Sequence, residues 1–118
     1  MRAYFKPEAG SFDVTIDALF GTGLSRPIQG FTAEIVARMA AREPPFRGVI
    51  VSMDIPSGLD CDTGRPLGPC VRADRTITFA TGKAGFAEPD AQNFTGQVVV
   101  ADIGVPREVI KLAAASPP

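Results

Sequence analysis

Four short apolar runs, each stopping at a glycine or an aspartate, set the architecture open to this 118-residue chain. Residues 14–20 stop at Gly21, 49–53 at Asp54, 76–80 at Thr81-Gly82, and 98–101 at Asp102. Mostly continuous and rich in β-branched residues, such runs read as strands buried on both faces of a parallel sheet. Between the first two, Ile35, Val36, Met39 and Ala40 recur at helical spacing within residues 32–42. Thr32 reads as the N-cap and Pro44-Pro45 as the stop. One strand–helix–strand unit follows, whose crossover should be right-handed. Residues 56–75 and 82–96 have the Gly/Pro content of loops rather than helices. Loops of that length in a compact domain tend to be functional or poorly ordered. A last helix is expected over 107–115, after Pro106.

The totals remove several function classes. A formal net charge of −1 with 45% hydrophobic residues argues against disorder and against an electrostatic nucleic-acid footprint. No apolar stretch has the length of a membrane span, so no membrane partner is expected. Met1 to Lys6 lacks the apolar core of a signal peptide, and the expected location is the cytoplasm. The chain has no histidine, which excludes histidine-activated nucleophiles and most zinc-site designs. Cys61 and Cys70 lie nine positions apart, compatible with a disulfide but read here as free thiols in a reducing compartment. Residues 1–118 read as one domain, with 1–11 and 116–118 expected to be flexible.

In open parallel sheets, ligands bind beyond the carboxyl ends of the strands. Gly21-Thr22-Gly23, Asp54 to Gly58, Thr81 to Lys83 and Asp102 would all collect at that edge. Familiar signatures fail there. Gly21-Thr22-Gly23 is followed by Arg26 where a dinucleotide fingerprint needs glycine, and Gly82-Lys83 lacks the earlier glycine of a phosphate-binding loop. Asp60-Cys61-Asp62-Thr63-Gly64 opens like a calcium loop, but Arg65 and Val71 occupy the places of its glycine and final acid. Asp17, inside an apolar strand, must be paired, bind a cation, face a polar cleft, or accept backbone N–H bonds. Taken singly, Ser57 reads equally as a turn cap and Lys83 as a solvated surface lysine.

Taken together, the blocks Asp17-Ala18-Leu19-Phe20-Gly21-Thr22-Gly23-Leu24, Asp54-Ile55-Pro56-Ser57-Gly58-Leu59-Asp60, Thr81-Gly82-Lys83-Ala84-Gly85 and Val100-Ala101-Asp102-Ile103-Gly104 carry a resemblance. In this order they resemble the YjeF N-terminal domain family, the NAD(P)HX epimerases, from about Phe12 to Pro106. The resemblance implies a three-layer αβα, Rossmann-like fold with a mainly parallel sheet. It implies an isomerase that interconverts the R and S epimers of hydrated NADH and NADPH, NADHX and NADPHX, as nicotinamide nucleotide repair. It implies potassium as the cofactor, with Asp17 and Ser57 as ligands. Gly21, Thr22, Gly23, Leu24, Ser25, Arg26 and Pro27 would line the substrate, Asp54 would contact it as an acid/base carboxylate, and Lys83 would assist. Pro56 and Gly58 then fix an abrupt turn that aims Asp54 and Ser57 at the cleft.

A homodimer is expected, because an uncovered sheet edge invites pairing with a neighbour. The resemblance further implies fusion to, or partnership with, an ADP- or ATP-dependent dehydratase. One departure stands out. Family members begin with a further strand and a Gly-rich N-N-G-G-D-G loop, and Met1 to Gly10 contains nothing like it. The chain is therefore expected to be the C-terminal portion of the domain, with little activity alone. One sheet edge and part of a face should lie bare, with self-association, partial disorder of residues 56–75, or both. The alternative function is a non-catalytic scaffold, a role the same fold serves in mRNA decapping, or an incomplete domain inactive by itself.

Overall fold

The computed structural model describes residues 10–115. Strands β1 (Val14–Asp17), β2 (Val49–Met53), β3 (Arg75–Phe79) and β4 (Gln97–Ala101) form a single sheet in the order β1-β2-β3-β4. Every pair is parallel. Helix α1 (Gly30–Ala40) crosses from β1 to β2, and α3 (Arg107–Ala115) follows β4. The β-branched runs thus form the predicted parallel, Rossmann-like sheet. The flexibility expected of 1–9 and 116–118 lies outside the described residues.

Strand order follows chain order, so each crossover steps the same way along the sheet. Right-handed crossovers then all lie on one face. Asp17, Ile50, Ser52, Thr76 and Thr78 point to that face and are buried. Val36 and Met39 of α1 pack there with Phe46, Ile50, Val71 and Ala73. The other face has no such layer among the described residues: Val14 is 55% exposed, Ile16 61% and Val99 43%. Register places Val14 beside Val49 and Ile16 beside Val51, which makes that face continuous and apolar. Burial on both faces is thereby corrected, and the expected bare face is present.

Other boundaries shift for local reasons. The first strand ends at Asp17, not residue 20, because its carboxylate Oδ1 accepts the Leu19 N–H at 3.5 Å and turns the chain. Helix α1 begins at Gly30, after an extended Gln29, and Thr32 falls within its first turn instead of capping it. Residues 56–75 carry no helix but are not loose. Ile55, Leu59 and Cys70 form a second apolar cluster with Phe86 and Phe94 against it, and Leu59 bridges Pro66. Residues 82–96 are not plain loop: two 3₁₀ turns, Ala84–Ala87 and Pro89–Ala91, lead into the one-turn α2 (Gln92–Thr95). Both cysteines are free. Among the described residues no helix is long and apolar enough to cross a membrane.

Candidate functional site

Two carboxylates sit at the carboxyl ends of neighbouring strands, and their surroundings differ. Asp17 closes β1 and pairs in register with Ser52 of β2. That pairing brings the Ser52 hydroxyl to Oδ2 of Asp17 at 2.7 Å. The same oxygen accepts the Ser57 N–H at 2.8 Å, while Oδ1 accepts the Ser57 hydroxyl at 2.6 Å. Ser57 Oγ in turn accepts the Phe20 N–H at 3.1 Å. Asp17 and Ser57 are each 1% exposed. This cluster ties the turn after β2 to the start of the loop after β1. A carboxylate bonded by amides and hydroxyls is the structural reading left open by the sequence, and it is realised here.

The turn itself depends on Gly58. At φ +100 its position is unfavourable for any side chain, and a Cβ there would meet the Pro69 oxygen at 2.0 Å. Leu59 N–H closes it onto the Pro56 carbonyl at 3.0 Å. Pro56 and Gly58 therefore form the abrupt turn that the sequence suggested, but Ser57 is buried against Asp17 and does not face a cleft.

Asp54 follows β2 directly and has φ 67, while the Ile55 N–H spans it to the Met53 carbonyl at 2.9 Å. Ala80 repeats this after β3, with φ 63 and a Thr81 N–H to Phe79 carbonyl bond of 2.7 Å. These are γ-turns of the rare, strained hand, and such strain concentrates at functional sites. They turn Asp54 and Lys83 toward one another. Lys83 Nζ lies 2.9 Å from Oδ1 of Asp54, with side chains only 17% and 21% exposed. The ammonium also reaches the Phe79 carbonyl at 3.4 Å and that of Thr81 at 3.5 Å. Oδ1 further accepts the Thr78 hydroxyl at 3.1 Å and the Phe79 N–H at 3.4 Å. Partial burial pushes the Asp54 carboxyl up, but the Lys83 bond and charge, with Thr78 and Phe79, outweigh it. They hold the group below the usual carboxylate value. It is a carboxylate at neutral pH, partnered and poised beside an ammonium.

The glycine loop lies against this pair. A Cβ on Gly21 would sit 3.7 Å from Oδ2 of Asp54, so the two are adjacent with little room between them. Gly23 faces open space. Ser25 and Arg26 line a cavity of about 340 Å³ with Gly21 and Gly23. Arg26 and Pro27 border a second, of about 460 Å³, at the start of α1. Leu24 packs on the α1 core, and Pro27 touches Gly68. The Thr22 carbonyl accepts a long bond from the Cys61 thiol at 3.7 Å. That thiol is pushed up by burial and by the Asp62 charge, so it is not an activated nucleophile.

The sequence-predicted residues thus fall into two adjoining groups, Asp17–Ser57 and Asp54–Lys83 with Gly21. Two contributors had been missed, Ser52 and Thr78. Both are hydroxyl residues in apolar strands, and strand register is the signal that finds them. As for a metal, no group of three or more His, Cys, Asp or Glu gathers among the described residues. Asp60 satisfies itself, Oδ1 accepting the Asp62 and Thr63 N–H groups at 2.9 and 2.8 Å. The Asp17–Ser57 pair is a donor set of oxygens only. No cationic side chain neutralises Asp17 among the described residues, which suits a hard cation in kind.

Comparison with known proteins bears on what such a site does. The family described as YjeF-related protein N-terminus matches residues 2–85. Over 90 residues the chain is 40% identical to an NAD(P)H-hydrate epimerase of Limosilactobacillus fermentum, covering 76% of this chain and 41% of that protein. Over 99 residues it is 40% identical to an NAD(P)H-hydrate epimerase of Rhodopirellula baltica, covering 84% and 39%. A bifunctional NAD(P)H-hydrate repair enzyme Nnr of Moorella thermoacetica is 40% identical over 100 residues, covering 83% and 18%. The chain therefore spans between 18% and 41% of the length of these relatives.

Proposed function

Because this chain belongs to the family of YjeF-related protein N-termini, we propose that it serves an NAD(P)H-hydrate epimerase, interconverting the R and S epimers of NADHX and NADPHX. The observation that carries this reading is the Asp54–Lys83 pair beside Gly21, at the edge where parallel sheets bind ligands. Inverting a hydroxyl-bearing carbon next to the ring nitrogen needs three events. The C–O bond breaks as its oxygen takes a proton, an iminium forms, and water returns on the other face with loss of a proton. The Lys83 ammonium would supply the proton that passes through Asp54 to the departing oxygen. Asp54 would take up the proton that the incoming water loses and return it to Lys83, restoring the pair. Residues Gly21 to Pro27 would lie along the substrate.

Potassium is proposed at Asp17 and Ser57, where it would neutralise the buried carboxylate and lock the turn that carries Asp54. A homodimer is also proposed, supported by the continuous apolar face that the sheet leaves open. A dehydratase that consumes the S epimer with ADP or ATP would be fused to this chain or work beside it. Relatives named as bifunctional repair enzymes support that pairing.

The test is chromatographic. A separated R epimer of NADHX is incubated with the chain alone and with an added N-terminal segment bearing an N-N-G-G-D-G loop. Conversion toward the S epimer above the spontaneous rate is expected with the added segment. No acceleration in either arm would overturn the proposal.

A further inference from the structure

Beyond the pairing with Lys83, the two oxygens of Asp54 are treated unequally. All of its donors meet Oδ1: Lys83 Nζ at 2.9 Å, the Thr78 hydroxyl at 3.1 Å and the Phe79 N–H at 3.4 Å. Among the described residues no donor reaches Oδ2, which lies beside Gly21 and the cavity-lining loop. Register explains the asymmetry. Ser52 pairs with Thr76 and Met53 with Ile77, so the next step sets Asp54 against Thr78 on the buried side of the sheet. Thr78 has no exposed surface, and among the described residues the acceptor of its hydroxyl is Oδ1 of Asp54.

We propose that Thr78 is a positioning residue of this site. Its hydroxyl pins Oδ1 of Asp54 to the end of β3, which turns Oδ2 alone toward the cleft and makes it the oxygen that moves the proton. The inference rests on the reading of Asp54 as the acid/base group. With the Thr78 bond gone, Oδ1 is held by Lys83 and Phe79 alone, and the carboxylate turns more freely about its bond to the chain. Misplacement of a reacting group by as little as 1 Å costs on the order of 100-fold in rate. A lost hydroxyl that leaves the Lys83 and Phe79 bonds standing should therefore cost about 10-fold to 100-fold in kcat, with little change in KM. Among the described residues, Lys83 is the charged group that faces Asp54. From β3 Asp54 meets Thr78 and Phe79, and from the loop after β1 it meets Gly21.

The experiment uses the 118-residue chain, with the Asp54 carboxyl carbon followed by NMR as pH is lowered. In Thr78→Val the Asp54 titration should move upward, because one bond to the ionised form is gone. Thr78→Ser should restore it, since serine keeps the hydroxyl and a merely space-filling role would not be rescued by a smaller side chain. Should the valine variant not fold, the unaltered chain still decides. A proton–carbon correlation across the hydrogen bond, from the Thr78 hydroxyl proton to the Asp54 carboxyl carbon, is expected, and Thr78→Ser should keep it. A titration indifferent to Thr78→Val, or no such correlation in the unaltered chain, overturns the positioning role. By contrast, Asp54→Asn with undiminished epimerisation overturns the functional reading on which it rests.

Discussion

Asp17 and Asp54 are both aspartates at strand ends, yet they have opposite characters. Asp17 is enclosed and spends both oxygens on hydroxyls and amides, whereas Asp54 keeps Oδ2 toward the loop. The first holds the turn, and the second is the one proposed to react. Asp17→Ala strands the donors of Ser52 and Ser57 in a buried place. It should lower the unfolding free energy by about 3 kcal/mol. If a cation compensates that carboxylate, the unaltered protein should melt at a higher temperature in potassium than in sodium, and the variant should not. Identical responses of the two proteins to the two salts would place the cation elsewhere. At this scale the sequence was partly legible. An aspartate within Ile16-Asp17-Ala18 announced itself by its unsuitability for an apolar strand. The partners did not, because Ser52 and Thr78 become neighbours only through register, which one strand's sequence does not contain.

Among the elements, the strands were the most legible, since β-branched runs and their Gly and Asp stops survive any packing. Helix α1 was misjudged at its start because no side chain caps it, so the chain supplied no cap residue to read. The connection 56–75 carries no helix, as its glycines and prolines indicated, but its small core was not legible, because Ile55, Leu59 and Cys70 are spaced widely and meet only in three dimensions. At the opposite end of the sheet, Arg42 joins the crossover to β3 by holding Asp74 at 2.8 Å, and Asp74 accepts the Ile50 N–H at 2.8 Å. The Arg42 bond first, against partial burial and with the Ile50 amide, holds the Asp74 carboxyl below its usual range. Its folded value lies under the unfolded one, so its stabilisation is complete above about pH 4 and is lost as pH falls through the folded value. Asp54 acts in the same direction. Thermal melting should therefore weaken below about pH 4, and Asp74→Asn should make that acid decline shallower. A decline equally steep in the variant would remove Asp74 from the account.

At the scale of the whole molecule, the described residues form a sheet finished on one side. That outcome was foreseeable from the count of helices against strands, and the strand order explains which side is left open. Exposed Val14, Ile16 and Val99, with the outer edge of β1 that is unpaired among the described residues, should make the purified chain self-associate in light scattering. Ile16→Lys should reduce that association without lowering the melting temperature by more than a few degrees. A chain that stays monomeric at every concentration would contradict the role given to this face. The central claim, however, is that Asp54 moves the proton. Its most direct measurement is the rate of R-to-S conversion of NADHX by Asp54→Asn and by the unaltered protein, each with the added N-terminal segment. General acid–base contributions of this kind predict a slowing on the order of 10²–10⁴-fold with substrate binding retained. A loss of less than about threefold, far below that range, would contradict it.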